Sequence, residues 1–139
     1  MLLENRSALI YGAGGAIGGA VARAFARQGA RVFLAGRTQA RLDAVAADIR
    51  ASGGLAETAR LDALDAAAVE RHADGVAERA GGIGIALNAV GVAHVQGTPL
   101  AELSLADFEY AVATCTRTHF ITAKAVVNTP APSPARSSI

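Results

Sequence analysis

Two rhythms of apolar residues alternate along this chain. Short runs rich in branched side chains occupy residues 7–11, 31–35, 56–61 and 83–88, lengths that suit strands buried on both faces. Between them, apolar positions recur every three or four residues, the period of a helix. Ile17, Val21, Ala24 and Phe25 keep that spacing from Ala16 to a stop at Gly29. Leu42, Val45, Ala46 and Ile49 mark a second helix that ends before Gly53 and Gly54, and Val69, Ala73, Val76 and Ala77 mark a third, stopped by Gly81 and Gly82. After Gly91 the pattern predicts a loop, a short turn opened by Thr98 and Pro99, and a Ser104 cap. A long helix then runs to about Val127, with Phe108, Ala111, Val112, Cys115, His119 and Ala123 on one face.

This alternation predicts an α/β fold: a Rossmann-like parallel sheet with helices on both faces and right-handed crossovers, ending after the fourth strand and the following long helix. Residues 1–127 form this partial domain, and the chain's 139 residues, 52% hydrophobic, fill one core. From Asn128 the composition shifts to Pro, Ala and Ser, with three of the four prolines, so residues 128–139 are expected to be a disordered tail.

The formal net charge is +1 with scattered basic residues, which points to a small-molecule partner and to neither nucleic acid nor membrane. One cysteine, and a start without the basic and long apolar stretches of a signal peptide, predict a cytoplasmic protein. His72, His94 and His119 lack metal-ligand spacing. The first two are expected on the surface or in loops, and His119 as lining of the long helix.

The densest signal is glycine. Five of the 15 glycines lie between Gly12 and Gly19, where a strand passes into a helix. Such a turn leaves the first helical N–H groups unpaired and lets backbones approach, so a dinucleotide pyrophosphate can sit on the positive helix end. Gly12 and Gly14 fit G-x-G-x-x-G, but Ile17 takes its last position and Gly18 follows. A tight connection without a ligand would use glycines too.

Residues 11–18, Tyr-Gly-Ala-Gly-Gly-Ala-Ile-Gly, resemble the Thr-Gly-x-x-x-Gly-x-Gly turn of the short-chain dehydrogenase/reductase family, with Tyr11 for Thr and Ala16 for the middle glycine. The resemblance extends over residues 7–127. It implies cofactor contacts at Gly12, Gly14, Ala16, Ile17 and Gly18. At the end of the second strand, Gly36 lacks the acid that would bond the adenosine ribose hydroxyls, and Arg37 offers a planar fork for a 2′-phosphate. NADP(H) is therefore expected over NAD(H), although Arg37 also fits an exposed arginine at a helix start. Asp62 and Ala63 match the family's adenine-binding position; Asp62 could equally cap the next helix, with Asp65 in its first turn. Asn88, Ala89 and Gly91 are similar to the family's Asn-Asn-Ala-Gly beneath the ribose, or to an ordinary turn. Pro99 to Ser104, with Asp107 and Phe108, resemble the start of the family's oligomerisation helix. Self-association through that helix and an exposed sheet edge is expected.

The family's reaction moves a hydride between nicotinamide and a carbonyl or alcohol carbon, using a tyrosine, a lysine four residues later and an upstream serine. Here Tyr11 and Tyr110 are followed four residues on by Gly15 and Thr114, and Lys124 is the sole lysine. No residue is assigned a catalytic role. Cys115 takes the place of the family's helical asparagine and is expected to be a small buried residue. Three readings follow: part of an NADP(H)-dependent oxidoreductase whose catalytic half is lost or encoded elsewhere, a non-catalytic NADP(H)-binding or protein-interaction half-fold, or a non-functional remnant.

Overall fold

The computed structural model describes residues 1–93 and 95–133; His94 and the last six residues of the expected tail lie outside the described residues. The elements run β1 (Ser7–Tyr11), α1 (Ala16–Arg27), β2 (Arg31–Gly36), α2 (Gln39–Ala51), β3 (Leu55–Arg60), α3 (Ala66–Ala80), β4 (Ile85–Asn88), a single 3-10 turn at Leu100–Glu102, and α4 (Leu105–Val127). The strands form one sheet in the order β3-β2-β1-β4, every pair parallel. Tyr11 lies opposite both Ala35 and Asn88, so β1 and β4 end level and β2 runs one residue further, to Gly36. The chain moves outward from β1 through β2 to β3, then returns to the other side of β1 for β4. That reversal opens a crevice beyond the strand ends between β1 and β4, where ligands bind in open α/β sheets.

Alternate side chains divide the core into two layers. Ala8, Ile10, Val32 and Leu34 face α1 and α2, meeting Ala22, Leu42 and Ile49. Leu9, Tyr11, Phe33 and Ala35 face α3, meeting Val69, Ala73 and Val76, with Ala125 of α4 beside them. Glu57 of β3 bonds Arg31 of β2 and, at 3.1 Å, the Nε of Arg79 of α3. Burial opposes ionisation of Glu57, but the two arginines win and hold its carboxyl below the ordinary range.

Several expectations are corrected. β4 begins at Ile85, since Gly84 first bends to donate its N–H to Ser7 O at 3.1 Å. On α1, Val21 and Phe25 pack against the core as expected, with Gly18, Gly19 and Ala22 buried beside them, while Ile17 is 74% exposed. α4 turns a different face inward: Thr118, Thr122 and Ala125 are buried, while Phe108 and Val112 are exposed, as are Cys115 and His119. Threonine can be buried there because its hydroxyl bonds its own helix: Thr122 Oγ1 donates to Thr118 O at 2.8 Å, and Thr118 Oγ1 to Cys115 O at 3.1 Å. Cys115 is thus no core residue; its sulfur lies outside, 3.9 Å from His119 Nδ1. His72 is neither on the surface nor in a loop but half-buried on α3, its Nδ1 enclosed and without a hydrogen-bond partner among the described residues.

Beyond α4, Thr129 donates its N–H to Val126 O at 3.0 Å, and Pro132 passes against Gly82 at the α3–β4 connection. β4 forms one edge of the sheet. Among the described residues no helix is long and apolar enough to cross a membrane.

Candidate cofactor site

The glycine turn ties three backbones together at the end of β1. Gly12 adopts φ +71°, and a Cβ there would stand 2.4 Å from Ala89 O in the loop after β4. A Cβ on Gly18 would stand 2.2 Å from Gly12 O, so the first turn of α1 lies directly on the strand end. Ala16 fits because it opens the helix, where alanine is favoured. Gly15, the N-cap, offers no side-chain bond, and among the described residues the N–H groups of Ala16, Ile17 and Gly18 have no backbone acceptor. They point the positive end of α1 at an open space.

That space is a cavity of about 410 Å³. Its walls include Gly12, Gly14, Ala16 and Ile17 from the turn, Arg37 from the end of β2, Asp62 and Ala63 after β3, and Ala89 and Gly91 after β4. Nine residues singled out from the sequence thus meet around one cavity, contributed by four separate strand ends. Gly18 lies beneath the turn and Asn88 behind the loop, so these two support the walls. Asn88 Oδ1 accepts from Val90 N–H at 2.9 Å, and its amide donates to Thr118 Oγ1 at 3.3 Å, pinning the loop to both β4 and α4.

Asp62 stands exposed at the rim, where Oδ1 accepts from Leu64 N–H at 2.9 Å in a tight Asx turn. The capping alternative belongs to Asp65, whose Oδ1 accepts from Ala68 N–H at 3.1 Å. Arg37 is exposed at the opposite rim and makes no hydrogen bond or ion pair among the described residues. Residues not foreseen also line the cavity: Thr38 and Arg41 at the start of α2, and Tyr110, Thr114 and Thr118 along α4. Arg41 carried a signal, four residues after Arg37; the α4 residues were hidden by the misjudged helix face. Tyr11 lines the cavity too, but its hydroxyl is enclosed without a partner among the described residues, and burial pushes its pKa up to about 12.

The sheet order, the glycine turn and the crevice define an α/β domain of the Rossmann-like class. The chain belongs to the short-chain dehydrogenase family, whose model, described as "short chain dehydrogenase", matches residues 6–134. It is 37% identical over 111 residues to D-threitol dehydrogenase of Mycolicibacterium smegmatis, covering 80% of this chain and 42% of that one. Against meso-2,3-butanediol dehydrogenase of Serratia marcescens it is 40% identical over 108 residues, covering 78% and 41%. Among solved structures, a short-chain type dehydrogenase/reductase from Mycobacterium marinum superposes with a TM-score of 0.81 at 34% identity, covering 91% of this chain and 51% of that one. A metagenomic short-chain oxidoreductase in complex with NADP superposes with a TM-score of 0.79 at 29% identity, covering 91% and 57%. The chain thus spans about half the length of these relatives. The family is one of oxidoreductases that bind a dinucleotide cofactor.

Proposed function

We propose that this chain is the NADP(H)-holding half of a short-chain oxidoreductase, and that its own residues bind and orient the cofactor without completing the reaction. The observation that carries the reading is the cavity itself, which sets three free N–H groups of α1 opposite a rim where Gly36 and Arg37 replace the usual carboxylate. The pyrophosphate would lie on the α1 N-terminus, with Gly12 and Gly14 allowing close approach. Asp62 has a second carboxylate oxygen to accept from the adenine amino group. Asn88 would position Ala89 and Gly91 beneath a ribose, and exposed Ile17 would offer an apolar contact. Arg37 would meet the 2′-phosphate that distinguishes NADP(H). When bound, the cofactor supplies a nicotinamide ring that gives or accepts hydride.

A proton must move with that hydride. Tyr11 keeps its proton at neutral pH, given its raised pKa. Tyr110 has Thr114 one turn later, and Lys124 lies about 21 Å further along the helix axis at ~1.5 Å per residue. Among these 139 residues no tyrosine has a lysine four positions on, so what this chain's own residues supply to that reaction is the binding and orientation of the cofactor. Cytoplasmic location and self-association belong to the same reading, supported by the single cysteine, the edge strand β4 and the exposed Phe108 and Val112 on α4. Mixing the purified chain with NADPH and assorted ketones tests it: NADPH should bind, yet its absorbance should stay constant. Steady NADPH oxidation above the buffer rate would overturn the non-catalytic reading.

A further inference from the structure

We infer that residues 129–132 form a strap that fastens the end of α4 into a notch at Gly82, and that the seated strap sets the α4 wall of the cofactor cavity. The strap itself depends on no choice of ligand; only its effect on NADPH rests on the NADP(H) reading.

The notch is built from backbone. Gly82 is buried at φ +120°, and a Cβ on it would stand 2.4 Å from Pro132 Cα, 2.6 Å from Pro132 N and 3.0 Å from the carbonyl carbon of Ala131. No rotamer change could relieve such contacts, so the strap fills space that is open only because residue 82 has no side chain. The seat is also rigid. Gly82 N–H donates to Ala77 O at 2.8 Å, and Gly82 O accepts from the buried Ser7 hydroxyl at 2.6 Å, which in turn accepts from Gly84 N–H at 3.2 Å. Ser7 opens β1, an inner strand, so the notch is tied to both α3 and the sheet.

The residues after α4 suit this path. Thr129 turns the chain off the helix, donating both its N–H, at 3.0 Å, and its hydroxyl, at 2.6 Å, to Val126 O. Pro130 and Pro132 then hold φ fixed and have no N–H that would need a partner, so the segment gives up little freedom on seating. Just before the strap, Ile121, Ala125 and Val126 pack into the layer that holds Ile83, the residue after the notch. Thr118 lies about three turns back along α4 at ~3.6 residues per turn. There it lines the cavity and accepts from the Asn88 amide at 3.3 Å, and Thr114 and Tyr110 continue the wall. The other end of α4 is fixed by Ser104, whose hydroxyl accepts from Asp107 N–H at 3.1 Å. A helix end without a fastening frays, and here fraying would run toward the residues that face the cavity.

Lys124 makes the strap measurable. It is the chain's sole lysine, exposed in the last turn of α4, so a lysine-specific protease can cut nowhere else. The test compares cleavage rates of wild type, Gly82→Ala and Gly81→Ala after circular dichroism has shown that each is folded. Gly81 is the matched control: at φ +73° it carries a similar backbone penalty, but nothing stands within 4 Å of its Cβ. Gly82→Ala should be cut about tenfold faster than wild type, and Gly81→Ala within about twofold of it. Should Gly82→Ala fail to fold, Pro132→Gly leaves the notch intact, frees the strap and should raise cleavage about threefold. Equal rates for the two glycine variants, or for Pro132→Gly and wild type, would overturn the strap. Because effects between two sites are reciprocal, saturating NADPH should slow the cutting of wild type, and Gly82→Ala should bind NADPH about threefold more weakly. If NADPH binds but neither protects Lys124 nor distinguishes the variants, the link from strap to cavity is overturned. If NADPH does not bind at all, the NADP(H) reading fails, while the cleavage rates still decide the strap.

Discussion

Replacing Gly12 by alanine strikes the point where β1, α1 and the loop after β4 converge. At φ +71° the backbone is in the left-handed region, which costs a residue with a Cβ about 1–2 kcal/mol. The added methyl carbon would also stand 2.4 Å from Ala89 O and 2.6 Å from Val90 N. These are backbone atoms that no rotamer change can move, so residues 89–91 must shift off the strand end, an overpacking cost of about 1–3 kcal/mol. Together the two effects destabilise by about 2–5 kcal/mol, a fall in Tm on the order of 10 °C for a chain of this size. Gly15→Ala in the same turn is the control. Gly15 has an extended backbone, φ −79° and ψ 170°, and the nearest atom to its Cβ is 3.4 Å away, so the cost should stay below about 1 kcal/mol. Thermal circular dichroism compares the three proteins, and NADPH titration follows the displaced loop, with Gly12→Ala expected to weaken binding more than tenfold. A Gly12→Ala protein melting within about 2 °C of wild type with unchanged affinity would refute the close approach. So would equal damage from Gly15→Ala.

Other predictions probe the surroundings of the site. Asp65→Ala removes the α3 cap and should cost about 1 kcal/mol without changing cofactor affinity, whereas Asp62→Ala should weaken NADPH binding more than it lowers Tm. Melting curves and titrations on both variants separate these roles, and the reverse pattern would exchange them. Burial, and then the Arg79 charge, hold the His72 pKa below its ordinary 6.5. The unfolded chain therefore takes up that proton first as the pH falls, and stability should decline from near-neutral pH through 6.5 toward the lowered folded value. In His72→Leu the decline in Tm between about pH 7.5 and 5.5 should flatten; an identical slope would exclude His72 as its source.

Much of this fold could be read from periodicity because its strands and helices each have one dominant partner. The residues expected inward on α2 and α3 are buried as expected, since both helices lie flat on the sheet with full apolar stripes. α4 defeated the same logic. Its apolar stripe through Phe108 and Val112 faces outward, and its packed face mixes Ile121, Ala125 and Val126 with Thr118 and Thr122, which satisfy their hydroxyls within the helix. Hydropathy cannot distinguish such a face from a solvated one. The cavity walls were legible where they sit at strand ends, because glycines, Arg37 and Asp62 mark those ends in the sequence. The wall from α4 became visible only when the helices were placed. Asp62 and Asp65 show a finer limit: both suit a helix start, and only their hydrogen bonds show that Asp65 caps α3.

The central claim is that these residues hold NADP(H), and fluorescence titration of the purified chain with NADPH, alongside NADH, tests it most directly. The account predicts saturable binding with NADPH the tighter ligand. No binding of either cofactor up to about 1 mM, the upper end of ordinary enzyme affinities, would contradict it.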